Sequence, residues 1–148
     1  KDEPLELLRR YEQKIVKKSN ENGLVITKNG EIYILKGDEN SIPRHKMTGI
    51  NFEDAFYTHN HPKDSGHEWG FSNDDFSSFT NLNLKYLAAI DEKYIHELSK
   101  DMFEMKSMQT DLNKSANEIT YKIWIVLNQY KKAEEKGLRY RRNEYNKR

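Results

Sequence analysis

The chain has 148 residues, 35% of them hydrophobic and 33% charged, with a formal net charge of +1. That length fits one domain with a real core, and no apolar run nears the roughly 20 residues a bilayer crossing needs. With no cysteine present, disulfides, a thiolate zinc site and a thiol nucleophile are excluded, so any metal must be held by His, Asp, Glu or water.

In chain order, Pro4 suits an early helix position, and Leu5, Leu8, Tyr11 and Ile15 recur at helical spacing. A helix is expected over about 3–18. Two β-rich runs follow, Leu24 to Lys28 and Glu31 to Leu35, joined by Asn29-Gly30. An Asn-Gly pair between such runs is a strong hairpin signal, because both turn residues tolerate positive φ. Residues 36–51 read as loop. Ala55 to His61 reads as a buried strand that Pro62 ends. The polar stretch Lys63 to Phe71 precedes a short helix over about 73–81, opened by Ser72. A second hairpin pairs Leu84 to Ile90 with Tyr94 to Leu98 around Asp91-Glu92-Lys93. Leu112, Ala116, Ile119, Ile123, Leu127 and Tyr130 then step by three or four, predicting one amphipathic helix over about 110–142. The order helix, hairpin, strand, helix, hairpin, helix places the chain in the α/β (α+β) class, with a mixed sheet flanked by helices.

Charge is uneven. Residues 130–148 hold eight Lys/Arg and three Glu, a local +5 that leaves −4 for the rest. A solvated helix end is the favoured reading of this basic stretch over a patch for an acidic partner or nucleic acid, and no aromatic single-strand platform or DNA-reading motif accompanies it. No targeting segment is visible and the expected location is cytoplasmic, although a start at Lys1 leaves room for an upstream segment.

The candidate chemistry starts at His59-Asn60-His61-Pro62. Residues two apart on a strand share a face, so both imidazoles can chelate one ion, and zinc suits such nitrogen ligands. Two packed or exposed histidines would give the same pattern. Asp75 is the candidate third ligand. Ser72-x-x-Asp75 is also a capping box that needs no function, and the two readings are compatible. Glu21, just before the first strand, is either a surface residue of a polar turn or the acid that works beside the metal. His45 and His96 read as surface or strand residues. Trp124 and the run Met102, Met105, Met108 read as packing. Trp69 and Phe71 either line a substrate groove or are lone aromatics.

Taken together, Glu21 before an early strand, His59-Asn60-His61-Pro62 and Ser72-Asn73-Asp74-Asp75 resemble the pattern of the JAMM (MPN-type, JAB) zinc metallopeptidases, in particular prokaryotic or phage-type members. The resemblance covers about residues 20–100. It implies a cytidine-deaminase-like JAB fold, with 1–107 as catalytic core and 108–148 as a C-terminal helix. It implies Zn²⁺ on His59, His61 and Asp75, Glu21 as general base, and Ser72 as donor to the oxyanion. The implied reaction is hydrolysis of a peptide or isopeptide bond, and the implied partner is a protein or peptide, ubiquitin-like tails included. Glu31, the other nearby acid, follows the hairpin turn and is in the wrong place for the base. The family usually has seven residues between Pro and Ser, where this chain has nine, Lys63 to Phe71. In that loop His67 and Glu68 are candidate metal or substrate contacts, and Trp69 is a candidate substrate contact. The competing expectation is a silent JAB-fold binding or scaffold domain of a phage or mobile-element protein.

Overall fold

The computed structural model describes residues 3–62, 71–99 and 139–144. His67, Glu68, Trp69, Trp124, the three methionines at 102–108 and the expected helix up to 138 lie outside them, as does the boundary at 107–108.

Helix α1 spans Glu3–Ile15 and strands β1 and β2 span Asn22–Ile26 and Ile32–Lys36. β3 (Phe56–Asn60) runs into Pro62, α2 spans Asn73–Asn81, and β4 (Tyr86–Ile90) pairs with β5 (Tyr94–Ser99). β6 is Arg139–Glu144. The six strands form one mixed sheet in the order β2-β1-β3-β4-β5-β6, in which only β3 and β4 run parallel. A parallel pair needs a crossover, and α2 lies on that connection. The class is therefore mixed α+β, as expected. Among the described residues no helix is long and apolar enough to cross a membrane.

Two expectations are corrected. The helix expected to reach 142 does not: residues 139–142 belong to β6, which pairs antiparallel with β5. Gly137 in the sequence disfavours a helix at that point, and backbone pairing with β5 satisfies the segment instead. The first hairpin also turns differently. Thr27 N–H donates to Glu31 C=O at 2.8 Å and Gly30 N–H to Thr27 C=O at 2.9 Å. The loop is thus three residues, Lys28 to Gly30, with only Gly30 at positive φ, 87°. This is the three-residue hairpin that ends in a left-handed glycine. Residues 44–47, inside the stretch expected to be loop, form a 3₁₀ turn.

The strand alternation sorts the core into two faces. Leu24, Ile26, Tyr86, Ala88, Ile90 and Ile95 pack under α1 through Leu8 and Ile15. Val25, Tyr57, Leu87, Ala89 and Leu98 pack on the other face with Phe76 and Phe79 of α2. Phe76 and Phe79 are each 1% exposed and three apart, so one face of α2 is pinned to the sheet. This pinning fixes the helix start against the carboxyl end of β3.

Candidate metal centre

On β3 the odd positions Tyr57, His59 and His61 face α2, while Phe56, Thr58 and Asn60 face α1. His59 and His61 are each 3% exposed. His59 stands opposite Gly23 of β1. A Cβ on Gly23 would come within 2.7 Å of the Tyr57 ring, so glycine there leaves room for the aromatic row Tyr57–His59, whose rings lie 5.6 Å apart.

The third side chain comes from α2. Ser72 caps the helix: its Oγ accepts from Asp75 N–H at 3.1 Å, and the Asp75 carboxylate accepts from Ser72 N–H at 3.0 Å. The capping box is therefore real, and the same carboxylate turns toward the histidines. Asp75 Oδ1 lies 3.0 Å from His59 Nε2 and Oδ2 lies 3.1 Å from His61 Nε2. The two Nε2 atoms are 3.2 Å apart. Ligands about 2.0–2.1 Å from one tetrahedral ion sit about 3.3 Å from each other. The separations are close to that edge length, with each histidine facing its own oxygen of the Asp75 carboxylate, and one donor atom from each of the three residues lies within 4.8 Å of the others. Residues His59, His61 and Asp75 can hold a metal ion.

Burial works to lower the His59 pKa, but the Asp75 carboxylate outweighs it and the ring is pushed up to about 9. Burial works to raise the Asp75 carboxyl, yet the two imidazoles hold it well below the usual carboxylate range. The cluster draws positive charge to itself. His59 Nδ1 is buried without a hydrogen bond of good geometry among the described residues; the Ala88 backbone gives the ring a weaker favourable interaction.

Glu21 shares this face. It precedes β1 by one residue, next to the end of the β1–β3 ladder at Gly23↔His59, and the charges of His59, His61 and Asp75 act on its carboxyl. Burial pushes its carboxyl up, and the fields of His59 and His61 partly offset that rise. Among the residues singled out in the sequence, Glu21, His59, His61, Ser72 and Asp75 are thus brought together. Phe71 is not a groove residue: it is 5% exposed and stacks edge-on against Phe76. His45 is exposed on the 3₁₀ turn.

Two features escaped the sequence. His96 is fully buried on the same face, across Ala89 from His59. Its Nε2 lies 3.5 Å from Asp91 Oδ2. Register alone could have flagged this row, but only with the strand order known. The second feature is Asn60, taken up below.

Comparison with family models, curated proteins and solved structures finds no match.

Proposed function

We propose that this chain is a zinc-dependent hydrolase of peptide or isopeptide bonds, of the JAMM (MPN-type, JAB) kind and fold. The observation that carries the reading is the meeting of His59 Nε2 and His61 Nε2, 3.2 Å apart, with the two oxygens of the Asp75 carboxylate, Oδ1 at 3.0 Å from His59 and Oδ2 at 3.1 Å from His61. One atom of each residue would hold the metal. Zinc in such a site supplies a Lewis acid and water that is activated near neutral pH.

The remaining roles fall to this chain's own side chains. Glu21, half-buried on the histidine face and with its carboxyl pushed up by burial, is suited to take a proton from the attacking water and return it to the leaving amine. The Ser72 hydroxyl accepts from Asp75 N–H and keeps its own proton to donate. It is therefore placed to serve the oxyanion that develops on the scissile carbonyl. The capping box makes both groups rigid, which a reacting constellation requires. Placement at the carboxyl end of β3 matches the general site of ligand binding beside parallel strands. The substrate class is a protein or peptide amide, with an isopeptide at lysine included.

The test is a panel of fluorogenic peptide and lysine-isopeptide substrates, run with zinc-loaded wild type and Glu21→Gln. The variant is expected to keep its zinc and lose about 10²–10⁴ in rate. A normal rate in Glu21→Gln would move the base elsewhere. A zinc-loaded wild type inert on every amide would favour the silent binding domain.

A further inference from the structure

Asn60 stands between the two histidines and points the other way. It is fully buried. Its side chain bridges β3 to the segment that carries Glu21. Oδ1 accepts from Asn22 N–H at 2.6 Å, and Nδ2 donates to Asn20 C=O at 3.0 Å with a longer approach to Lys18 C=O at 3.5 Å. Asn20 and Asn22 are the two chain neighbours of Glu21.

The chemistry of these contacts fixes which way the amide lies. One end meets an N–H and the other meets carbonyls, so only one orientation satisfies both. A carboxamide accepts at one atom and donates at another, as these two contacts require. The strand ladder makes the same point: the backbone register of β1 with β3 runs from Ile26↔Phe56 to Gly23↔His59. At the next step, Asn22 to Asn60, the link is made by a side chain. The Glu21 backbone itself is tied elsewhere, with its N–H given to Asp38 C=O and its C=O accepting from Gly37 N–H, both at 2.7 Å. Those bonds fasten Glu21 to the chain beyond β2. Asn60 is what fastens its neighbours to the strand of the histidines.

From this geometry we infer that Asn60 is a positioning residue that sets Glu21 against the His59–His61–Asp75 centre. The inference rests on the reading of Glu21 as the base of that centre. Its consequence is that β3 serves both partners of the chemistry: odd positions offer metal ligands on one face, and the intervening position holds the base from the other. A buried amide with both ends satisfied is rigid, and losing one end leaves a buried group unpaired.

The substitution that isolates this role is Asn60→Asp. Aspartate keeps the acceptor for Asn22 N–H but sets an oxygen against the Asn20 and Lys18 carbonyls. The experiment uses the full chain loaded with Co²⁺, whose visible absorption reports the surroundings of the ion. Wild type, Glu21→Gln, Asn60→Asp and the double variant are compared for cobalt stoichiometry and for spectrum. Asn60→Asp is expected to bind as much cobalt as wild type, with its spectrum displaced to that of Glu21→Gln. The double variant is expected to match Glu21→Gln alone, because displacing an already silenced side chain adds nothing. A wild-type spectrum in Asn60→Asp, or additive displacements in the double variant, would overturn the proposal and leave the metal reading intact. Failure of wild type to bind cobalt, or a Glu21→Gln spectrum identical to wild type, would instead sink the reading on which it rests, and the proposal with it. Should Asn60→Asp not fold, Asn60→Ser keeps an acceptor too short to bridge both neighbours, and the same comparison applies.

Discussion

Two buried polar clusters lie back to back on β3. Under α1, Arg9 donates to both oxygens of Glu12 at 2.7 and 2.6 Å and to Glu97 at 3.2 Å, while Tyr86 and Thr58 complete the network. Under α2, one ligand atom from each of His59, His61 and Asp75 lies within 4.8 Å of the others. Thr58 belongs to the first cluster and His59, its neighbour in sequence, to the second. The difference is where the positive charge comes from. In the first it is covalently part of the chain: despite burial, the Glu12, Glu97 and Tyr86 groups hold the Arg9 guanidinium charged more firmly than usual. In the second no side chain carries a fixed positive charge: against the effect of burial, Asp75 pushes the His59 ring up to about 9, so the imidazole takes its charge from an exchangeable proton. A closed network satisfies itself and reads as architecture. Donors that converge without a built-in cation read as a site.

Breaking the first cluster should cost stability and spare the metal. Glu12 is fully buried, and Glu12→Ala leaves the Arg9 guanidinium beside an unfilled space. Loss of one partner of such a buried pair costs on the order of 3–5 kcal/mol. Denaturant unfolding should show this drop while metal stoichiometry, measured on the folded protein, stays at the wild-type value. Lost stoichiometry with little destabilisation would mean that the two faces are not separate devices.

A smaller effect sharpens the other side. Ser72→Ala removes the cap, worth about 1 kcal/mol, and also the hydroxyl beside the centre. Unfolding should report a loss of that size. The rate on an amide substrate should fall by about 10²–10³, more than the modest cap loss would produce by itself. Equal, small effects on both would reduce Ser72 to its capping role.

Much of the site was legible in sequence because its signals are local. The strand period puts His59 and His61 on one face, and Ser72-x-x-Asp75 marks a helix start. The structure shows α2 over 73–81, the span the sequence predicts. Non-local relations were hidden. Glu12 carried no signal of its own; it is buried where Arg9 of the same helix and Thr58 of β3 meet it. His96 gained its place only when β5 paired with β4 beside β3. The role of Asn60 was hidden, since the partners of its amide lie about forty residues upstream. At the C-terminal end, helical periodicity carried the expected helix too far, and pairing of Arg139–Glu144 with β5 decided otherwise.

The central claim is that three side chains from two elements form one metal centre. Elemental analysis of the purified chain after zinc loading and desalting tests it directly, with wild type, His59→Ala and Asp75→Ala side by side and folding checked by circular dichroism. The account predicts about one zinc per wild-type chain, the count for a single centre, and almost none in either variant. Full zinc occupancy in both folded variants would contradict it.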